Sequence, residues 1–224
     1  MKILAYIPNG LTCANLLCGC VGIVFAFNAH TLHLVPWIVG LACVFDFFDG
    51  FMARLLRVSS SIGKELDSLA DVVSFGLLPA CVVFQLMSLE TNSLLPYFAF
   101  AITLFSALRL AIFNIDENQK DSFVGLPTPA NALFITSLVY ISFPKGAFVS
   151  AQYLLLGLTA VSSYLLVSPI RMFGLKFKNF SWKDNKWQVS FVIVSASLFI
   201  LLKGRAWLLI IPLYVIVSFF KSNI

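Results

Sequence analysis

The chain has 224 residues, of which 60% are hydrophobic and only 11% are charged, and its mean hydropathy is +0.95. Soluble domains carry about 25% charged residues, so this composition excludes an ordinary soluble protein. It predicts a single domain over residues 1–224, folded as an all-α, polytopic bundle of transmembrane helices. The net charge of +5 does not indicate a nucleic-acid partner, because the basic residues form no single aqueous face. The expected surroundings are the lipid bilayer, with some attraction to anionic headgroups.

Eight apolar runs follow one another along the chain, separated by charges and turn signals. A transmembrane helix needs about 20 apolar residues, and the fifth, seventh and eighth runs are shorter than that. We therefore expect about eight spans, with six as the alternative. The runs cover residues 11–29, 34–55, 62–89, 94–113, 128–143, 148–168, 189–202 and 206–220.

The distribution of lysine and arginine predicts the orientation in the membrane. Either span count is even, so both termini lie on the same side. With the N-terminus in the cytoplasm, twelve basic residues lie inside and only Lys145, Lys203 and Arg205 lie outside. Cytoplasmic loops are enriched in lysine and arginine. The expected topology is N-in and C-in, in the cell (inner) membrane, with the active site facing the cytoplasm.

Between the second and third runs the chain carries an unusual group of carboxylates. Five of the ten acidic residues fall within residues 46–71. One charged side chain at mid-membrane costs roughly 2.5–3.5 kcal/mol on insertion scales, so several of them require a compensating charge. The segment reads Asp46-Phe-Phe-Asp49-Gly50-Phe-Met-Ala53-Arg54, then eight residues, Gly63, and Asp67 and Asp71.

The spacing of the four aspartates predicts that they converge. Asp46 and Asp49 are three apart, and Asp67 and Asp71 are four apart, so each pair shares one face of its helix. A short polar break makes the two helices antiparallel neighbours. Asp46 precedes Leu55 by nine residues, or roughly 13 Å of helix. The predicted site therefore lies below the cytoplasmic surface, in a cavity that water reaches.

Carboxylate oxygens favour hard divalent cations such as magnesium, manganese or calcium. The two histidines, His30 and His33, are expected on the opposite side of the membrane, which argues against zinc. Two metal ions about 3.5–4 Å apart would clamp a phosphate between them. The alternative is a set of intramembrane salt bridges from these aspartates to Arg54, Arg57, Lys64 and Arg109.

The pattern D-x2-D-G-x2-A-R-x8-G-x3-D-x3-D resembles the signature of the CDP-alcohol phosphotransferase family, and the chain matches it at every fixed position. In that family two metal ions and a CDP-linked donor bind at this site, and an alcohol displaces CMP. The resemblance implies two divalent cations, magnesium or manganese, held by Asp46, Asp49, Asp67 and Asp71. It also implies that Asp71 is the general base for the alcohol.

The same resemblance implies a nucleotide and pyrophosphate site built from the signature's small residues and from the N-terminal helix. Arg54 and Lys64 are suited to pairing with phosphate oxygens. Thr12 and Asn15 have an alternative role as helix caps or interhelical hydrogen-bonding groups. The residues expected at the nucleotide and pyrophosphate are Asn9, Thr12, Asn15, Gly50, Ala53, Arg54, Gly63 and Lys64.

Three further runs resemble the phosphatidylserine synthase branch of the family: IPNGLT at 7–12, LRLAIFN at 108–114 and GLPTPA at 125–130. The branch's usual second run is nearer LRLARFN, so Ile112 stands where the branch has a second arginine. This resemblance implies that CDP-diacylglycerol and L-serine are the substrates and that phosphatidylserine and CMP are the products. A homodimer is common in the family and is expected here. An archaeal ether-lipid donor stays open.

Serine requires a cation for its carboxylate, and Arg109 is the candidate because it lies near the cytoplasmic end of the fourth run. A snorkelling or salt-bridged arginine is the alternative. Another acceptor, such as glycerol phosphate, inositol or inositol phosphate, would use the same chemistry. A cation transporter that binds ions at the aspartates is the alternative from a different class. The acidic residues of the predicted spans gather in the inner half, which favours the enzyme.

Overall fold

The computed structural model describes residues 6–58, 60–88, 94–115, 123–141, 148–172 and 182–222. These residues are predominantly helical, which confirms the all-α class. Short 3₁₀ segments precede α2, α5 and α9, and one follows α6. The helices are α1 (Tyr6–Ala26), α2 (Val35–Leu55), α3 (Ser61–Asp71), α4 (Leu78–Ser88), α5 (Ala101–Ile115), α6 (Thr128–Ser137), α7 (Phe148–Val167), α8 (Trp182–Leu202) and α9 (Trp207–Ser222).

Five helical segments among the described residues are long and apolar enough to cross a bilayer, so the chain is a membrane protein. The predicted seventh and eighth runs fall within one 35-residue segment of this kind, and the sixth corresponds to a shorter apolar helix. The count of eight spans and the N-in, C-in orientation therefore stay predictions. Lys145, one of the three basic residues expected outside, lies beyond the described residues. The five segments are Tyr6–Ala26, Leu32–Leu55, Ser61–Ser88, Leu95–Ile115 and Lys186–Phe220.

Helix α1 packs against α2, α3 and α4, and two of its glycines allow close approach. A Cβ added at Gly19 would lie 2.5 Å from the Ser74 Oγ, and one at Gly22 would lie 2.5 Å from a Leu78 methyl carbon. Both distances are too short for a side chain, so the helix surfaces meet at the glycine backbone. Small residues at a helix interface allow this close approach in membrane proteins.

Helices α3 and α4 form one continuous helical segment, joined by a π-helical turn over Val72–Leu77. The turn follows Asp71 directly, and the Leu78 N–H bonds the Val73 carbonyl five residues back. The Gly76 carbonyl accepts a hydrogen bond from the Thr103 hydroxyl at 3.2 Å. Such turns inside helices are frequent at functional sites, and this one changes the helical register immediately after the last aspartate.

A short antiparallel pair of strands, β1 (Phe123–Val124) and β2 (Arg171–Met172), leads into α6. Gly125 follows β1 with φ +77°, and its N–H donates to the Ile170 carbonyl at 2.9 Å. A Cβ at this position would collide with the Leu166 carbonyl oxygen. Only glycine combines this backbone conformation with such a close approach, which explains the glycine of the GLPTPA run physically.

Candidate active site

Three of the four aspartates of the signature lie close together, in the halves of α2 and α3 that are predicted to face the cytoplasm. One carboxylate oxygen from each of Asp46, Asp49 and Asp67 lies within 4.8 Å of the others. Helical periodicity places Asp46 beside Asp49 on α2, and α1 packs against both α2 and α3. The predicted convergence of the two helices is thus confirmed for these three carboxylates.

Asp71 lies one helical turn beyond Asp67 and is not part of that three-residue group. Its side chain is buried, with 8% of its surface exposed. The Asn15 side-chain amide donates a hydrogen bond to the Asp71 Oδ1 at 3.1 Å. The Ser74 hydroxyl, on the same side of the helix, donates to the Asn15 carbonyl at 2.9 Å. Asp71 is therefore held by α1, next to the cluster rather than inside it.

Thr12, on α1, hydrogen-bonds to a second carboxylate, that of Asp49 on α2. Its hydroxyl lies 2.7 Å from the Asp49 Oδ2 and 3.1 Å from the Pro8 carbonyl oxygen, and the proton serves one acceptor at a time. Thr12 and Asn15 are both buried and three residues apart, so they present polar groups on one face of α1. The structure shows the interhelical hydrogen bonds that the sequence analysis gave as part of their alternative role. Each of these bonds orients one aspartate.

A cavity of about 200 Å³ opens beside the cluster, between α1, α2 and α3. Six of the eight residues predicted to bind the nucleotide and pyrophosphate line it, together with two of the aspartates. Asn15 and Arg54 are the two that do not. The residues that do line the cavity are Asn9, Thr12, Gly50, Ala53, Gly63 and Lys64, with the aspartates Asp49 and Asp67.

Two glycines of the signature meet this cavity differently. A Cβ added at Gly50 would have no atom within 4 Å, so the space in front of this backbone is open. A Cβ at Gly63 would lie 2.9 Å from the Ser60 Oγ and 3.0 Å from the Asn9 Oδ1. The Ser60 hydroxyl caps α3 by accepting a hydrogen bond from the Gly63 N–H at 2.9 Å. Gly50 leaves room for a ligand, whereas Gly63 allows a tight helix start.

The two basic residues of this region lie at its exposed edge. Lys64 lines the cavity, and its ammonium group donates to the Asn114 carbonyl near the C-terminus of α5 at 2.9 Å. The Asn114 side chain in turn donates to the Ser68 hydroxyl at 2.7 Å. Arg54 lies exposed in the last turn of α2. Sequence reasoning missed the contact of Lys64 with α5, because no local pattern relates residues fifty positions apart.

Arg109 is buried on α5, with 8% of its surface exposed, so it does not snorkel to the surface. Its Nη1 lies 3.4 Å from the Thr128 hydroxyl, and its guanidinium carbon lies 6.0 Å from the centre of the Phe113 ring. The Nε is buried without a hydrogen-bond partner. The Asp71 carboxylate contributes a favourable charge to the surroundings of the guanidinium. It also lines a smaller cavity of about 50 Å³ with Phe113 and Ser168.

The chemistry of the cluster fits a hard divalent cation. The charges that act on Asp46 and Asp67 are those of neighbouring carboxylates, with no lysine or arginine among them. The Asp67 Oδ1 is buried and has no hydrogen-bond partner. A buried, unpaired carboxylate oxygen facing like charges is costly unless a cation binds there. In the part of the chain that the structure describes, the salt-bridge alternative finds no support at these two residues.

Comparison with known proteins identifies the family. The family model for CDP-alcohol phosphatidyltransferase matches residues 5–220. The chain belongs to this family. Members generally depend on a divalent cation, in keeping with the acidic triad of Asp46, Asp49 and Asp67.

Similar proteins from distant organisms carry one name, CDP-diacylglycerol–serine O-phosphatidyltransferase. The protein of Helicobacter pylori strain J99 is 32% identical over 193 residues, covering 84% of this chain and 77% of its own length. That of Bacillus subtilis is 34% identical over 170 residues, covering 74% and 89%. That of Saccharomyces cerevisiae is 34% identical over 141 residues, covering 59% and 50%. The predicted branch of the family is thereby confirmed.

Proposed function

We propose that this protein is a metal-dependent CDP-diacylglycerol–serine O-phosphatidyltransferase. It transfers the phosphatidyl group of CDP-diacylglycerol to L-serine and releases phosphatidylserine and CMP. The observation that carries this proposal is the carboxylate cluster of Asp46, Asp49 and Asp67 at the edge of a cavity lined by the family's signature residues. The names of the similar proteins supply the acceptor.

Asp46, Asp49, Asp67 and Asp71 hold two divalent cations, magnesium or manganese, in this proposal. When bound, these ions supply positive charge that stabilises the pyrophosphate and the departing phosphate. The protein's part is to fix the carboxylates beforehand. Thr12 orients Asp49 and Asn15 orients Asp71, through hydrogen bonds of 2.7 and 3.1 Å.

Asp71 is the proposed general base. Its Oδ1 accepts the hydrogen bond from Asn15, which leaves the Oδ2 for the serine hydroxyl. The proton passes from this hydroxyl to Asp71 while the serine oxygen attacks the phosphorus that carries the diacylglycerol oxygen. The new serine–phosphorus bond forms as the phosphoanhydride bond to CMP breaks, and CMP leaves with the bridging oxygen. A single displacement accounts for the reaction without a covalent enzyme intermediate.

The donor's head binds in the cavity between α1, α2 and α3. The open space in front of Gly50 admits the pyrophosphate close to the helix backbone, and Lys64 supplies a positive charge at the cavity edge. Arg54 is proposed to reach the phosphates from the exposed last turn of α2. The diacyl chains stay in the bilayer. The remaining proposed contacts to the nucleotide and pyrophosphate come from Asn9, Thr12, Asn15, Ala53 and Gly63.

Arg109 is the proposed partner of the serine carboxylate. Its support is a buried guanidinium with an unpartnered Nε, within electrostatic range of the proposed base Asp71. A buried donor without a partner is stabilised when a ligand oxygen binds to it. Serine bound between these two residues would place its carboxylate at Arg109 and its hydroxyl at Asp71.

The composition and the apolar runs support the domain and the number of spans, and the distribution of lysine and arginine supports the orientation in the membrane. We infer a single domain over residues 1–224, about eight spans, and both termini in the cytoplasm. The active site then faces the cytoplasm from the cell (inner) membrane, where CDP-diacylglycerol and serine meet. A homodimer is part of the proposal by analogy with the family.

The deciding experiment is CMP release by the purified protein in detergent, with CDP-diacylglycerol as donor. Serine, glycerol 3-phosphate, inositol and inositol phosphate are compared as acceptors. We expect release with serine alone, its loss on chelation, and its recovery with magnesium or manganese. Release with another acceptor instead of serine would discard the serine assignment and the role of Arg109. Undiminished release in a chelator would contradict the metal-dependent mechanism.

A further inference from the structure

The largest of the cavities described here lies at the end of the molecule opposite to the aspartate cluster. Its volume is about 430 Å³, within the size range of ligand sites, about 300–1,000 Å³. Trp37 in its wall belongs to the first turn of α2, twelve residues before Asp49, or about 18 Å along the helix. This far-side cavity is defined by His33, Trp37, Tyr140, Lys203 and Arg205.

The far-side cavity is positively charged. Lys203 and Arg205 both line it, and no carboxylate does so among the described residues. They lie in one turn and are two of the three basic residues that the predicted topology assigns to the outer side, where a positive-inside distribution places few lysines and arginines. A pair of cations is suited to a phosphate group.

The walls of the far-side cavity are held by contacts between distant parts of the chain. The Tyr140 hydroxyl donates to the His33 carbonyl at 2.9 Å. The Trp37 ring packs edge-on against the Phe199 ring, with 5.9 Å between centroids. A Cβ at Gly204 would lie 2.8 Å from the Tyr140 oxygen, so the turn between α8 and α9 packs directly on that ring. The backbone of the turn that carries both basic residues is therefore fixed by packing, while their side chains lie exposed.

The backbone of Lys203 is in an unusual conformation, with φ +52°. Non-glycine residues rarely adopt this left-handed region. Lys203 directly follows α8, and Arg57 shortly after α2 adopts the same conformation, in which helices commonly end. Gly204 comes next in the chain and would adopt this conformation freely, but the positive φ falls on Lys203.

We propose that the far-side cavity binds the phosphate group of an anionic phospholipid, with the phosphate between Lys203 and Arg205. Apolar side chains adjoin the two cations, since Leu201 and Leu202 also line the cavity. They would contact the upper part of the acyl chains, with Trp37 at the level of the headgroup. Inorganic phosphate shares the headgroup's chemistry, so the test separates the two sources. This inference is independent of the reaction proposed above.

The test measures binding of short-chain phosphatidylglycerol to the full-length protein in detergent, with CDP and manganese present to occupy the active site. Phosphatidylcholine of the same chain length and inorganic phosphate are titrated in parallel. We expect phosphatidylglycerol to bind at least tenfold more tightly than phosphatidylcholine. The Lys203→Gln/Arg205→Gln variant should lose at least tenfold in affinity for phosphatidylglycerol.

Two variants serve as controls. Lys186→Gln/Arg171→Gln removes two exposed charges outside the cavity, and Lys203→Arg/Arg205→Lys keeps both charges inside it. Each should bind within threefold of the unmodified protein. Displacement of the lipid by an equal concentration of inorganic phosphate would assign the site to free phosphate.

Equal binding by Lys203→Gln/Arg205→Gln and the unmodified protein would overturn the proposal, as would an equal loss in the Lys186→Gln/Arg171→Gln control. If the double cavity variant does not fold, Arg205→Gln alone replaces it. That single variant leaves the strained turn intact, and its unchanged affinity would likewise refute the site.

Discussion

The hydrogen bond from Asn15 to Asp71 makes the sharpest prediction about the proposed reaction. Asn15→Ala removes the amide that lies 3.1 Å from the Asp71 Oδ1, without touching the carboxylate itself. A hydrogen bond to a charged group contributes about 1.5–3 kcal/mol. At 1.36 kcal/mol per tenfold change in rate, kcat should fall about 10- to 150-fold.

The assay is CMP release at saturating donor and serine, with the manganese requirement and the pH profile measured alongside. Because Asn15 orients Asp71 and is also a proposed contact to the donor, the donor KM and the manganese requirement should rise, but by a smaller factor than that by which kcat falls. The pH dependence of kcat should shift, since the environment of the base has changed. A purely structural role would leave that profile in place.

The matched control is Ser74→Ala at the same interface. It removes a hydrogen bond of similar length from Ser74 to the Asn15 carbonyl but leaves the Asn15 amide on Asp71. We expect this variant to retain kcat and its pH profile. A kcat for Asn15→Ala within threefold of the unmodified protein, or an equal loss in Ser74→Ala, would refute the positioning role of Asn15.

Three further variants test the base, the acceptor site and the fold. Asp71→Asn should abolish CMP release while keeping most of the donor affinity, measured by CDP-diacylglycerol binding; a variant with full turnover would rule out Asp71 as the base. Arg109→Ala should raise the KM for serine more than that for the donor, with partial retention in Arg109→Lys; an unchanged serine KM would exclude the proposed carboxylate partner. Gly125→Ala should destabilise the protein by about 1–3 kcal/mol, because its φ is +77° and a Cβ would meet the Leu166 carbonyl. Gly157→Ala, where nothing lies within 4 Å of the added Cβ, is its control in detergent-phase thermal unfolding, and equal stability of the two would contradict this account.

The carboxylate cluster could be predicted from the sequence because helical periodicity is a local property of the chain. Asp46 and Asp49 share a helix face at a spacing of three, and the short break before α3 brings Asp67 towards them. The same local reasoning grouped Asp71 with them. The structure places Asp71 next to the other three, hydrogen-bonded to Asn15 and beside the π-helical turn, and no spacing rule predicts which neighbouring helix a buried carboxylate will face.

The span count illustrates a different limit. Hydropathy divided the C-terminal part of the chain into two short runs, 189–202 and 206–220. The structure has two helices here, α8 and α9, joined by a 3₁₀ turn at Lys203–Ala206. The Phe191 and Tyr214 rings lie 5.8 Å apart between centroids, so the two helices fold back on each other, although together they form one long apolar segment of the sequence. The length of an apolar run does not by itself distinguish one interrupted helix from two short spans. Eight spans, the N-in orientation and the homodimer thus stay predictions.

By itself, the sequence determined the class of protein and the family, and it predicted which residues carry the chemistry, because composition, helical spacing and motif are encoded along the chain. Tertiary structure alone decided which groups hold those residues in place. Thr12 reaches Asp49 across 37 positions, and Asn15 reaches Asp71 across 56. At the far-side cavity, the Tyr140 hydroxyl reaches the His33 carbonyl across 107 positions. Such contacts depend on how helices pack, and packing is set by the fit of whole surfaces rather than by any local pattern.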